Sequence, residues 1–222
     1  MMSRCTARSW ISCLDRISRT RYSTLAELPV LSQGELLARI ARGLEDQGIP
    51  HMVVGSLASS FHAEPRTTRD IDIVIDPSSE SLGRFVASLA QSEFYVDEHA
   101  AAEALEGRTS FNVIDGASGW KVDLLIRRDR AFSRQELDRR VRVRLLGTDT
   151  YVATAEDTIL AKLEWATAGE SERQLRDVRS ILDVNRDTLD HGYIDRWAAD
   201  LNLSDAWDRV RRLSEDPDRR LA

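Results

Sequence analysis

The chain has 222 residues, 42% hydrophobic and 31% charged, with a net charge of −6. This is the composition of a soluble globular protein, long enough for one domain with an appended subdomain, and no apolar run approaches the roughly 18 residues of a membrane-spanning helix. Both cysteines, Cys5 and Cys13, lie near the N-terminus, which excludes disulfides and cysteine-based zinc sites from the remainder.

Residues 1 to 30 are rich in Ser and Arg and lack periodicity, and are expected to be a disordered tail. No apolar stretch follows the early arginines, so a signal peptide is not expected; a transit peptide is the second reading. Residues 1–24 carry five Arg against one Asp, so the net charge of −6 leaves −10 for the body. An acidic body argues against broad, non-specific nucleic-acid binding.

Ser32 to Gly48 reads as a helix with Leu36, Leu37, Ile40 and Leu44 on one face, stopped by Gly48-Ile49-Pro50. Met52-Val53-Val54 is a short strand that ends on Gly55-Ser56, and Leu57 to Glu64 supplies a short helix. Asp70-Ile71-Asp72-Ile73-Val74-Ile75-Asp76 alternates with the strand period. Asp70 and Asp72 therefore share one face and the isoleucines the other.

Two carboxylates on one strand face repel each other, an arrangement that makes sense with a divalent cation between them. Mg²⁺ is held by one or two carboxylates plus substrate phosphates. Glycine lets a backbone approach a phosphate closely, and a helix N-terminus attracts anions. The plainer reading is an acidic, solvated strand after an ordinary glycine turn.

A helix from about Ser78 to Gln91 buries Leu82, Phe85, Val86 and Leu89, and Phe94 to Val96 is a short strand. Asp97 to Glu106 is expected as a surface helix or loop near the mouth of the site. Thr109 to Ile114 and Lys121 to Ile126 are strands joined by a hairpin over Asp115-Gly116-Ala117-Ser118-Gly119. Asp123 stands alone among apolar neighbours, which is costly unless it is paired or metal-bound. Three carboxylates from two neighbouring strands would suit a two-metal phosphoryl-transfer site, provided the hairpin lies beside the Asp70–Asp76 strand.

Arg127 to Arg144 contains eight arginines. Ser133-Arg134-Gln135-Glu136 has the pattern of a capping box opening a short helix, and Val141, Val143 and Leu145 mark an amphipathic strand. The segment reads as a solvated face balanced by Asp129, Glu136 and Asp138, with a phosphate-contacting rim as the second reading. Phe132 is its one aromatic residue, so it offers no stacking platform for bases.

Thr154 opens a helix with Ile159, Leu160, Leu163 and Ala166 as its apolar stripe. Lys162, with Lys121 one of only two lysines, has no acidic neighbour at helical spacing. A positioned ammonium there would offset phosphate charge. Glu170 to Asp187 is a further helix carrying Asp177, and two more helices finish the chain, with Trp197 and Trp207 as packing anchors. His51, His62, His99 and His191 have no metal-ligand spacing.

Gly55-Ser56, a short helix, Asp70-x-Asp72 and a third Asp123 on a later strand resemble the DNA polymerase β-like nucleotidyltransferases. The Arg66-Thr67-Thr68-Arg69 lead-in, Lys162 in ILAKLEWA and Asp177 in RQLRDVRSIL resemble the AbiEii-type branch, known from toxin–antitoxin and abortive-infection systems. The resemblance spans roughly residues 35 to 185. It implies that Gly55, Ser56, Arg69, Lys162 and Asp177 bind a nucleoside triphosphate. Asp70, Asp72 and Asp123 would hold two Mg²⁺ ions, and these three with Lys162 would be catalytic.

The expected fold is α/β, a small mixed β-sheet with packed helices. Residues 31–150 would form the core and 151–222 a helical C-terminal subdomain. The expected activity is Mg-dependent transfer of a nucleoside monophosphate to an acceptor hydroxyl, in the cytoplasm. The resemblance implies an RNA or tRNA end as acceptor and a cognate antitoxin as partner. A small-molecule, antibiotic-type acceptor is the alternative, and a non-catalytic partner-binding module of the same fold is a further one.

Overall fold

The computed structural model describes residues 31–65, 68, 70–90, 92–169 and 171–215. The N-terminal tail expected over residues 1–30 lies outside them, as do Arg66, Thr67 and Arg69.

The alternating run becomes β2 (Asp70–Ile75), the centre of the sheet. Its flanks are β1 (His51–Val54), paired antiparallel, and β5 (Lys121–Ile126), paired parallel. Outward from β5 lie β4 (Ser110–Asp115) and β3 (Phe94–Val96); outward from β1 lie β7 (Thr148–Val152) and β6 (Val141–Leu145). The described residues thus form a seven-stranded mixed sheet of order β3-β4-β5-β2-β1-β7-β6.

One face of this sheet buries Ile71, Ile73 and Ile75 with Val122, Leu124 and Val113. Three helices cover it: α1 (Gln33–Asp46), α3 (Ser79–Ala90) and α4 (Glu98–Gly107). Each fully buried isoleucine contributes roughly 1.5–3 kcal/mol, so the period-two pattern fixes which face is which. α1 starts at a capping box in which Glu35 Oε2 accepts from the Ser32 backbone N–H at 2.8 Å. Ala101 and Ala104 of α4 join this core, so the segment after Asp97 packs on the isoleucine face. It is not at the mouth of the site, which lies on the other face.

The opposite face carries Asp70, Asp72 and Asp123. Between β1 and β2 runs α2 (Gly55–His62). The helices α5 (Ala131–Asp138), α6 (Ala155–Gly169), α7 (Glu172–Asn185), α8 (His191–Asp200) and α9 (Ser204–Glu215) complete the described chain. They build a second apolar cluster from residues such as Phe132, Leu163, Val178, Ile194 and Trp207. Trp207 is buried there and Trp197 packs against it, the anchoring expected of both.

α5 begins earlier than the capping-box pattern implied. Arg130 is its N-cap, with no side-chain cap bond, and Ser133 and Glu136 are both buried. Burial of Phe132 in the helical cluster sets this start. Ser133 instead accepts from Arg130 Nε at 3.0 Å. Among the described residues no helix is long and apolar enough to cross a membrane.

Candidate active site

The parallel register of β2 with β5 puts Asp72 opposite Asp123 and Asp70 opposite Lys121. The hairpin therefore does lie beside the Asp70–Ile75 strand. Three carboxylates and one ammonium meet on the face away from the isoleucine core. Lys121 Nζ stands 2.9 Å from Asp123 Oδ2. Asp123 Oδ1 is buried and accepts no hydrogen bond from the described residues.

Gly55 shows why β1 must end as it does. Its φ is +64°, in the left-handed region that favours glycine. A Cβ there would fall 2.8 Å from Asp72 Cγ and closer still to Oδ2. The backbone thus passes against the Asp72 carboxylate, and the Ser56 backbone N–H donates to it. Burial pushes the Asp72 carboxyl above the usual range. The charges of Asp123 and Asp70 push the same way, against the Lys162 ammonium and the Ser56 N–H.

Lys162 is brought in by α6 and held by α7. Its Nζ lies 2.7 Å from Asp177 Oδ2, with the two side chains only 6% and 11% exposed. The ion pair absent from Lys162's own helix is thus made across helices. Asp177 reaches the site through Lys162. A second carboxylate lies deeper: Asp157, fully buried, accepts from Tyr193 Oη at 2.6 Å and from Thr154 Oγ1 at 2.7 Å, and Arg139 Nε stands 3.2 Å away. Burial and this acceptor push the Tyr193 phenol well above its ordinary value.

Of these groups, Gly55, Ser56, Asp72 and Lys162 line a cavity of about 340 Å³. Phe132, Glu136 and Trp165 lie among its other lining residues. The Arg127–Arg144 segment is largely neutralised. Arg127 pairs with Asp76, Arg128 and Arg130 with Glu164, Arg134 with Asp129, Arg139 with Glu156 and Asp157, and Arg144 with Asp149. The segment is charge-balanced, but of the expected partners Asp129, Glu136 and Asp138 only Asp129 takes part among the described residues, the rest coming from Asp76, Asp149, Glu156, Asp157 and Glu164.

Lys121 was not singled out by its sequence context, although its rarity was a signal: both lysines of the chain sit at these carboxylates. Glu136 was hidden by its apparent role in a cap. Arg69, expected to contact nucleotide, lies outside the described residues.

Among the described residues, no three His, Cys, Asp or Glu side chains form a group ready to hold a metal ion. The donor set still fits a hard cation. Asp123 Oδ1 is a buried lone-pair donor without a partner, and Asp72 carries charge that two neighbouring carboxylates oppose. One or two carboxylates suffice for Mg²⁺ when substrate phosphates supply the rest.

No family model and no curated protein matches this chain. Among solved structures it is similar to an antigenic nucleotidyltransferase-like protein from Paracoccidioides brasiliensis. The identity is 14%, over 83% of this chain and 88% of that one, and the TM-score is 0.51. It is also similar to the antibiotic-resistance factor ANT(2'')-Ia, at 15% identity over 82% and 95% of the two chains with a TM-score of 0.49. A tRNA-processing enzyme matches at 13% identity over 85% and 59%, with a TM-score of 0.37. At such identities the likeness is one of fold, and the fold is the mixed α/β arrangement of nucleotidyltransferase-like proteins.

Proposed function

We propose that this chain transfers a nucleoside monophosphate from a nucleoside triphosphate to an acceptor hydroxyl, releasing pyrophosphate. The observation that carries this is the register that sets Asp72 against Asp123 beside the close backbone turn at Gly55.

In this reading Gly55, Ser56 and the start of α2 cradle the β- and γ-phosphates. Asp70, Asp72 and Asp123 would hold Mg²⁺. The bound cations would supply charge neutralisation on the triphosphate and acidify the acceptor hydroxyl. Lys162, fixed by Asp177, faces the negative charge that develops on the phosphates. The acceptor oxygen bonds to the α-phosphorus while the bridging bond to the β-phosphate breaks, and pyrophosphate leaves with that electron pair. The acceptor's proton passes to a carboxylate oxygen, for which Asp123 Oδ1, buried and without a hydrogen bond, is suited.

An RNA end, with a toxin–antitoxin or defence setting, is the acceptor the sequence resemblance implies. A small-molecule acceptor is the second reading, and one observation favours it: six of the eight arginines between 127 and 144 have carboxylate partners, which leaves little basic rim for a polynucleotide.

The test is transfer from each labelled nucleoside triphosphate, with Mg²⁺, to total RNA, beside an Asp70→Ala/Asp72→Ala control. Label in a defined RNA band, absent in the control, supports RNA as acceptor. Asp-dependent triphosphate binding without RNA labelling directs the search to small molecules. No triphosphate binding refutes the enzymatic reading and leaves the interaction module.

A further inference from the structure

The cavity continues past the groups assigned to phosphate. One step along β2 and β5, about 7 Å from Asp72 and Asp123, the same sheet face presents Val74 and Leu125, which form an apolar floor. α5 contributes Glu136 to the lining, and α6 contributes Trp165.

Two side chains there are unexplained by packing. Glu136 is only 7% exposed and lines the cavity, yet no described residue donates a hydrogen bond to its carboxyl. A buried carboxyl without a partner is costly. The other nearby carboxylate, Glu164, is already matched: Arg130 Nη2 donates to its Oε2 at 2.7 Å, and Arg128 pairs with it too. Trp165 is 59% exposed although its neighbours Leu163 and Ala166 are buried. It lies three residues beyond Lys162, on the same side of α6.

We propose that this end of the cavity is a nucleobase subsite, in which Trp165 stacks on the base and the Glu136 carboxyl hydrogen-bonds its polar edge. The assignment rests on the nucleotidyl-transfer reading above. It gives each odd feature a use: an apolar floor under a flat ring, an exposed indole to lie against it, and an unmatched carboxyl in the wall. The carboxylates of Asp157 and Glu164 near Glu136, together with its burial, favour the neutral acid. A neutral carboxyl offers one donor and one acceptor side by side, the pattern found on base edges. Continuity with Gly55, Ser56 and Lys162 in one cavity places base and phosphates within reach of a single nucleotide.

The test uses calorimetric titration of the full chain, in Mg²⁺, with inorganic tripolyphosphate and with each of the four nucleoside triphosphates. At least one nucleotide should bind about 10-fold or more tighter than tripolyphosphate, the scale of one stacked base. Trp165→Ala and Glu136→Leu should each remove most of that gain and flatten the order among the four nucleotides, with tripolyphosphate binding unchanged. Glu136→Gln, which keeps a donor and an acceptor, should retain it. Trp165 is exposed, so its truncation tests the idea even if Glu136→Leu folds poorly. Nucleotides that bind no tighter than tripolyphosphate, or a gain that survives both variants, overturn the proposal and give this end of the cavity to the acceptor. Tripolyphosphate binding that is absent, or indifferent to Asp70→Ala/Asp72→Ala, instead overturns the transfer reading on which it rests.

Discussion

Asp72 and Asp123 are direct partners across two parallel strands, so their carboxylates project from the same face at neighbouring positions. Burial first, and then their repulsion, push the Asp72 carboxyl upward. Folding holds this arrangement against its electrostatic cost, with Lys121 on Asp123 and the Ser56 N–H on Asp72 as partial compensation. The cation of the proposed function would relieve this repulsion.

Asp72→Asn should therefore separate function from stability. Transfer activity should fall at least about 100-fold, the scale of losing one essential electrostatic group. The melting temperature in chelator should stay level or rise, because the asparagine escapes the repulsion of Asp70 and Asp123. Melting curves paired with initial rates decide it. A large drop in melting temperature would mean that Asp72 serves the fold.

Gly55→Ala should damage the site sterically. The left-handed backbone alone costs a non-glycine residue about 1–2 kcal/mol, and the new Cβ would collide with the Asp72 carboxylate. Reduced stability and loss of triphosphate binding are expected together. Gly119, also at positive φ but with open space around its missing Cβ, is the control. Gly119→Ala should cost stability alone and leave binding intact.

The Lys162–Asp177 pair is nearly buried, so removing Asp177 takes the closest carboxylate from a buried ammonium. Asp177→Ala should destabilise by about 3–5 kcal/mol. The double change Lys162→Met/Asp177→Leu should recover most of that loss in chemical denaturation while transfer stays abolished. If the double variant is as unstable as the single one, the pair is not the reason for the loss.

How far the sequence disclosed all this follows from the range of each interaction. The shared face of Asp70 and Asp72 is local, a consequence of strand alternation, and was legible. That Asp123 lies beside Asp72 depends on where a hairpin docks some fifty residues later, which alternation cannot express. Lys162 was noticed for lacking a partner on its helix, and the partner belongs to the next helix. Glu136 shows the opposite failure. A local capping pattern pointed to the helix terminus, and burial of Phe132 moved the helix start upstream, which turned Glu136 into a cavity wall. Asp157 was not singled out, because Arg139 and Tyr193 approach it from distant segments.

That Asp157 network should be a principal support of the helical layer. Asp157→Ala would leave Arg139, Tyr193 and Thr154 without their common acceptor, and a loss of about 3–5 kcal/mol is expected. Tyr193→Phe removes one hydrogen bond and should cost about 1 kcal/mol. Arg139 lies 3.9 Å above the Tyr193 ring and keeps that contact in the phenylalanine variant. Denaturant unfolding of both variants checks the ranking; equal losses would contradict it.

Glu136 gives stability a pH dependence of definite sign. Burial and the charges of Asp157 and Glu164 push its carboxyl up to about 8, against the opposing pull of Arg130 and Arg128, whereas the unfolded chain titrates near 4.5. Between these values the folded protein holds a proton that the unfolded chain has released. Its contribution to stability is therefore fully present below about pH 4.5 and declines as pH rises towards about 8, by at most a few kcal/mol. Other carboxylates titrate over part of the same range, so the informative quantity is the difference between wild type and Glu136→Gln. The amide cannot ionise, and the variant should gain on wild type steadily as denaturation is repeated from about pH 5 to about pH 8. A constant difference across that range would show that Glu136 is already ionised in the folded protein. The carboxyl would then present two acceptors to the cavity, and a ligand edge with two adjacent N–H donors would be its match.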